Sequence, residues 1–299
     1  MKHYFIINPN AGAKDMTSFI FSELEKLTTK IDYEVFVTTA PQDAYHFTKN
    51  ICQNASEEIR FYACGGDGTL NEVLNGSFGF TNASITCVPV GSGNDYIKNF
   101  NRPDDFIKIE KLIAGKEVMV DAMLVNDRYT INICNFGFDA FVVENMLKFK
   151  NKAFIRGKMA YNFAVFYSLL YKMKHNCQIY LDDELTYDGN ILLTAIANGK
   201  CYGGGYYCAP TARVDDGLLE ACIVKSVSRR RFISLIKYYK SGEHVKHPKV
   251  MPYIIYQAAK KVDIIAEKPI LYCMDGELEH ANKISITNIN KAVRFVIPC

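Results

Sequence analysis

With 299 residues, 49% of them apolar, and a formal charge of only +3, the chain is long enough for two hydrophobic cores and has the composition of a globular protein. Its longest strongly apolar stretch, residues 163–171, falls far short of the roughly 18 residues that a membrane-spanning helix needs, and Met1-Lys2-His3 leads into a strand-like run rather than a secretory leader. Ten cysteines without a C-x-x-C pair or zinc-like histidine spacing fit a reducing cytoplasm better than a disulfide framework or a structural metal.

Along the first 120 residues, short apolar runs alternate with helix-like stretches. Strands are predicted at 4–8, 33–38, 59–64 and 85–89, with helices near 15–29, 42–53 and 69–75. That rhythm implies a doubly wound, parallel α/β sheet, in which ligands sit at the carboxyl ends of the strands. Three of those ends carry special turns: Asn8-Pro9-Asn10-Ala11-Gly12, Gly65-Gly66-Asp67-Gly68-Thr69-Leu70-Asn71-Glu72 and Gly91-Ser92-Gly93-Asn94-Asp95. All three are expected to meet in one crevice.

The middle turn reads as a phosphate-handling loop. Its glycines allow close backbone approach to an anion, and a helix starting at Thr69 would aim free N–H groups and a positive dipole end at it. Asp67 would repel phosphate unless a divalent cation lay between, which points to a metal-assisted nucleotide site. The same octapeptide is also ordinary turn chemistry, with Thr69 and Glu72 spaced as a capping box. Neither G-x-x-x-x-G-K-[ST] nor a G-x-G-x-x-G after the first strand occurs, which argues against a P-loop enzyme or a simple dinucleotide oxidoreductase.

Beyond about residue 121 the pattern becomes strand-rich, with runs at 123–135, 191–198, 218–224, 262–266 and 270–274, and suggests an antiparallel β-sandwich. The fold class is therefore α/β plus all-β, with domains expected at 1–121 and 122–289. The last strand, 293–297, is open to either, so residues 290–299 could complete the first domain. Helical stretches at 141–174 and 228–240 interrupt the second. The helix expected at 159–173 is apolar almost all round, which requires burial or an oily partner.

Charge is unevenly spread. Residues 144–175 hold Lys148, Lys150, Lys152, Arg156, Lys158, Lys172 and Lys174 against Glu144, and residues 225–249 hold Lys225, Arg229, Arg230, Arg231, Lys237, Lys240, Lys246 and Lys249 against Glu243. Each run alone reads as a solvated face; both on an otherwise acidic chain suggest an anionic partner. Apolar surface with a basic collar suits anionic phospholipid. Regular aromatic interleaving is missing, so no nucleic-acid partner is expected.

Five motifs, taken in order, resemble the diacylglycerol kinase catalytic family, which includes soluble bacterial lipid kinases and sphingosine kinases and is distantly allied to NAD kinases. They are the loop at 65–72, Gly91-Ser92-Gly93-Asn94-Asp95, Tyr202-Gly203-Gly204-Gly205 with Pro210, Asp215-Asp216-Gly217, and Asp275-Gly276-Glu277. The resemblance covers essentially the whole chain. It implies a nucleotide-binding α/β domain, a β-sandwich and an active site between them.

By position, the resemblance assigns Asn8, Pro9, Asn10, Ala11, Gly12, Thr39, Gly65, Gly66, Asp67, Gly68, Thr69, Leu70, Asn71 and Ser92 to ATP. Ser92 stands where the family more often has Thr; either supplies a hydroxyl. Asp275-Gly276-Glu277 reads as a plain hairpin turn from its residues. The resemblance makes Asp275 the general base for a lipid hydroxyl and gives Glu277 a part in orienting nucleotide or metal. It also implies Mg2+ at the Asp216 side chain and the carbonyls of Arg213 and Leu218, with Asp67, Asp95, Asp121 and Asp215 joining through waters.

The expected activity is ATP-dependent phosphorylation of a membrane-lipid hydroxyl, most simply that of diacylglycerol to give phosphatidic acid, by a cytoplasmic protein peripherally bound to the inner face of the membrane. Phosphatidylglycerol and a sphingoid base remain open as acceptors, and family members often pair as homodimers. NAD kinase shares the Gly-Gly-Asp-Gly loop, but a soluble acceptor needs neither Asp275-Gly276-Glu277 nor oily basic helices. A non-catalytic lipid or nucleotide sensor would have little reason to keep Asp67, Asp216, Asp275 and Glu277 together near phosphate.

Overall fold

The computed structural model describes residues 1–150, 164, 167–168 and 174–299. Four strands open the fold: β1 (Lys2–Ile7), β2 (Asp32–Val37), β3 (Ile59–Gly65) and β4 (Ala83–Pro89), paired in parallel in the order β2-β1-β3-β4. Every residue of β3 is buried, as both faces of a parallel strand must be when helices cover them. The covering helices are α1 (Thr17–Glu25), α2 (Asp43–Asn54) and α3 (Asp67–Ser77), with a short α4 (Ile109–Ile113) closing the layer. Register places Ile7 beside Cys64 and Gly65 beside Pro89, so the three special turns leave the sheet at one edge.

Helix α3 begins at Asp67, two residues before the expected start, with Gly66 at the cap position and no side chain capping it. The Thr69–Glu72 capping box does not form. Glu72 instead accepts from the backbone N–H groups of Gln42 and Ala44, at 3.1 and 3.2 Å, and so caps α2. Spacing along the chain cannot tell a helix's own free N–H groups from those of its neighbour.

The second half is antiparallel. It comprises β5 (Lys116–Val125), β6 (Arg128–Thr130), β7 (Ile133–Gly137), β8 (His175–Leu181), β9 (Glu184–Ala197), β10 (Leu219–Lys225), β11 (Ile254–Ala259), β12 (Lys261–Met274) and β13 (Glu277–Ile297). The single run expected at 123–135 is three strands, and the runs at 262–266 and 270–274 are one strand with a register shift between Ile265 and Ile270. Strand β8 pairs with the first parts of both β9 and β12, while β7 pairs with their later parts. The sheet thereby folds into a sandwich around Phe136, Ile179, Ile196, Val262, Ile264 and Tyr272.

Two helices cover it, α5 (Phe138–Lys150) and α6 (Arg229–Ser241). Ser228 caps α6 by accepting from the Arg231 N–H, and Gly242 ends it with φ 78°. Most of the apolar helix expected at 159–173, and Lys152, Arg156, Lys158 and Lys172, lie outside the described residues.

Strand β13 belongs to both halves. Its first part pairs with β12; its last part pairs with β5 and, through Phe295 and Ile85, runs parallel to β4. Phe295 is fully buried, stacked on Phe100 with centroids 5.2 Å apart and edge-on to Tyr96 at 5.1 Å. Phe295→Ala is expected to destabilise the protein by about 3–5 kcal/mol. Denaturant unfolding checks this; a loss below ~1 kcal/mol would mean that the C-terminal segment is peripheral to the first core.

Candidate active site

The turns after β1, β3 and β4 touch one another through backbone. Asn8 N donates to Cys64 O at 3.0 Å, and the Asn8 amide donates to the Thr69 hydroxyl at 3.1 Å. A side chain on Gly12 (φ 77°) would sit 2.4 Å from Val90 O, and one on Gly91 would sit 2.4 Å from Gly66 Cα. These glycines exist to let three loops meet. Asn8 to Gly12, Gly65 to Asn71 and the Gly91–Asp95 turn are thus gathered around the α3 N-terminus, where unshared N–H groups and the helix dipole favour an anion. Thr39 lies at the end of β2, where its N–H and hydroxyl bond Asp43 at 2.7 and 2.8 Å; Ser92 is exposed on the rim.

Asp67 occupies the centre. Its Oδ1 accepts from the N–H groups of Asp95 (2.9 Å) and Tyr96 (3.2 Å). Burial, followed by the neighbouring Asp95 carboxylate, pushes its pKa up to about 6 against the opposing pull of those hydrogen bonds. Asp95 is itself buried and pairs with Lys98.

Across the crevice stands the β12–β13 hairpin. Asp275 (φ 45°) and Gly276 (φ 103°) form its two-residue turn, so the plain hairpin reading is correct as local structure. The Asp275 side chain, however, points inward. It accepts from the Thr130 hydroxyl and from the N–H groups of Ile131 (3.0 Å), Ile133 (3.0 Å) and Asn132 (3.4 Å). Burial raises its pKa, and these donors work against that rise. The amide of Asn71, one turn into α3, approaches the same carboxylate at 3.5 Å. Asp67 and Asp275 therefore share a cleft, and the Asp275 charge contributes to the raised pKa of Asp67. Glu277 is exposed just beyond the turn.

The segment Arg213 to Leu218 wraps a second carboxylate. Asp121, fully buried, accepts from Gly217 N and Lys291 N, each at 2.7 Å. Asp216 is exposed and accepts from Leu218 N at 3.1 Å. The Asn288 amide reaches Leu218 O and the Asp121 carboxylate, both at 3.4 Å, while its own Oδ1 is buried without a partner. Among the described residues no three His, Cys, Asp or Glu side chains are arranged around one point. An ion here would need carbonyl oxygens and water beside a single carboxylate, the mixed oxygen set that Mg2+ accepts.

Several residues of this site carry no sequence signal. Thr130 ends the three-residue β6, Asn132 lies in the two-residue connection to β7, and Asn288 sits in the middle of β13. Gly199 is another: a Cβ there would fall 2.0 Å from Asn132 Oδ1 and 2.6 Å from Asn99 Nδ2.

A model of the diacylglycerol kinase catalytic domain matches residues 2–125, and one of the YegS C-terminal NAD kinase beta sandwich-like domain matches residues 132–296. A diacylglycerol kinase of Staphylococcus carnosus is 29% identical over 297 residues, which is 98% of this chain and 94% of that protein. Among solved structures, a diacylglycerol kinase from Bacillus anthracis aligns with TM-score 0.68 at 21% identity, covering 99% of this chain and 96% of the other. An NAD kinase from Archaeoglobus fulgidus in complex with ATP aligns with TM-score 0.51 at 12% identity, covering 100% and 94%. These two structural likenesses concern the fold alone.

The raised pKa of Asp67 gives the site a measurable pH dependence. The folded protein holds this proton more tightly than the unfolded chain, so the stabilisation is complete below about pH 4 and lost as pH rises through about 6. Asp67→Asn is therefore expected to raise ligand-free stability at pH 7–8 by about 1–3 kcal/mol, with the gain vanishing below about pH 4. Thermal melts of both proteins across that range check it; a pH-independent difference would remove the titration of Asp67 as the cause.

Proposed function

The chain belongs to the diacylglycerol kinase family and is a lipid kinase, a phosphotransferase with an alcohol acceptor; from that premise we propose that it moves the γ-phosphoryl group of ATP onto the free hydroxyl of diacylglycerol. The acceptor follows the names of its relatives, and ATP follows from membership of a kinase family. One observation carries the reading: Asn71 joins the glycine-rich helix start to the Asp275 carboxylate, which brings a helix N-terminus suited to an anion within one cleft of a half-buried base.

In this reading the triphosphate lies against the Gly65–Asn71 loop and the Asn8–Gly12 turn. The lipid hydroxyl oxygen attacks the γ-phosphorus in line, the bond to the β–γ bridging oxygen breaks, and ADP leaves. Asp275 takes the hydroxyl proton. Phosphoryl transfer asks mainly for positioning and charge neutralisation, and a carboxylate fixed by backbone donors loses little entropy in the transition state. Burial makes it a better proton acceptor than an exposed carboxylate.

The orphaned Asn288 oxygen, with Leu218 O beside its amide and with Asp216 and Arg213 O in the same short segment as Leu218, suits a hard divalent cation. Mg2+ held there would offset the negative charge gathered between the lobes; the residues themselves keep Asp121 and the 213–218 segment in register.

Membrane approach is assigned to α6. Arg229, Arg230, Arg231, Lys237 and Lys240 are exposed along it, with Ile233 61% exposed among them, while Phe232 and Tyr239 anchor the other side. No helix among the described residues is long and apolar enough to cross a membrane, so access to the lipid would be from the surface. Anionic phospholipid fits that face.

Incubation with ATP, magnesium and a panel of diacylglycerol, phosphatidylglycerol, a sphingoid base and NAD is expected to label diacylglycerol; labelling of NAD instead would overturn the lipid-kinase reading. Asp275→Asn should abolish labelling while nucleotide binding, followed by calorimetry, persists within about threefold. Equal turnover would remove Asp275 as base. Replacing Arg230 and Lys237 by Gln should weaken binding to anionic vesicles by about 1 kcal/mol per charge at low salt; sedimentation unchanged from the parent protein would return α6 to a solvated face.

A further inference from the structure

Between β9 and β10 the chain makes a tight loop, Tyr202-Gly203-Gly204-Gly205-Tyr206. Tyr206 N donates to Tyr202 O at 2.8 Å and Tyr202 N to Tyr206 O at 3.1 Å, while the three glycines adopt φ 59°, 77° and 117°. A Cβ added to Gly204 or Gly205 would meet no atom within 4 Å. The loop is bare backbone over open space, and a run of three glycines has the largest conformational entropy to lose on being held still.

Its tip and its base are both tethered. At the tip, Gly204 N donates to Asp95 Oδ2 at 3.0 Å, so the sandwich half reaches over to the nucleotide half. Asp95 in turn gives its own N–H to Asp67 Oδ1 at 2.9 Å. At the base, the Tyr202 hydroxyl donates to the carboxylate of Asp139, in the first turn of α5, and lies 3.3 Å from the Tyr239 hydroxyl of α6. Burial pushes the Asp139 pKa up to about 7, so the structure bears a cost to keep this carboxylate where it is.

We infer that Asp139 is a positioning residue of the phosphoryl-transfer site: by holding the Tyr202 hydroxyl it fixes the glycine loop, and through the Gly204 N–H it sets Asp95 against Asp67. The inference rests on the kinase reading for its catalytic consequence and on geometry alone for the loop. Neighbouring contacts do not depend on it. Lys200 N donates to Asn99 Oδ1 at 2.8 Å and the Asn132 amide donates to Cys201 O at 3.1 Å, so the approach to the loop stays in place when its base is released.

Tyr202→Phe and Asp139→Ala are expected to lower kcat by about tenfold, the size of one hydrogen bond to a charged group, with KM for ATP and for lipid within about threefold. Asp139→Asn, which keeps an acceptor oxygen, should retain most of the activity. Because both changes cut one tether, the double variant should be no worse than either single one. Hydrogen–deuterium exchange across 202–206 in the ligand-free protein should speed up in Tyr202→Phe and Asp139→Ala and not in Asp139→Asn.

Unchanged exchange in Tyr202→Phe overturns the inference, and so does a rise in lipid KM at constant kcat or a multiplicative loss in the double variant. If Asp139→Ala does not fold, Tyr202→Phe carries the test. Exchange needs no substrate, so a parent protein inactive on every lipid, yet showing faster exchange in these variants, would count against the kinase reading and leave the tether standing.

Discussion

Carboxylates crowded into a half-buried cleft repel one another, and the arrangement of this protein follows from how that repulsion is contained. Asp67, Asp121 and Asp275 are each gripped by backbone N–H groups, from Asp95 and Tyr96, from Gly217 and Lys291, and from Ile131 to Ile133 respectively. Lys98 adds a full positive charge at Asp95. Amide dipoles stabilise the charged forms without neutralising them, which keeps the acids available to a cation or a proton. Most of the donors lie in turns or at strand ends, with Lys291 at an irregularity within β13, and they hold their places because the strands around them are rigid.

The grip also sets how the halves of the molecule relate. Asn71 on α3 meets Asp275, Gly204 meets Asp95, and Asp121 on β5 holds both the 213–218 segment and Lys291 of β13. Each of these contacts joins an element of the parallel sheet, or its border, to one of the sandwich. The cleft is consequently lined from two sides by groups whose positions are fixed by different cores.

Much of this is legible in the amino-acid sequence, for physical reasons. Parallel strands buried on both faces leave largely apolar runs such as 59–64, broken there only by Arg60, and turns that admit close backbone approach need glycine, so the first sheet and its three loops stand out. Asp275 is conspicuous because Asp-Gly ends an apolar run, yet its inward carboxylate is invisible, since the donors lie 142 to 145 residues away in sequence. Glu72 misleads because it serves α2 rather than α3. Strand β11 leaves little apolar signal because all of it but Ala259 is half-buried or exposed, β8 because Asn176, Gln178 and Tyr180 occupy its outward positions, and β6 merges into the run at 123–135 because it is three residues long. Thr130, Asn132 and Asn288 act through one or two side-chain hydrogen bonds each, and an isolated polar residue in a strand or connection has no periodicity to betray it.

Strand β13 comes after the sandwich strands in sequence, yet its final part lies between β4 and β5 and fills the first core with Phe295. The first sheet thus takes its border strand from a segment that follows the whole sandwich in sequence, and the Thr86 hydroxyl donates to Val296 O at 2.8 Å across 210 residues. Contacts so distant along the chain close slowly, because the loop between them must be ordered first. The glycine-rich loops therefore face a completed cleft only when both cores have formed, and a change that loosens β13 at either end loosens the lobes' hold on each other.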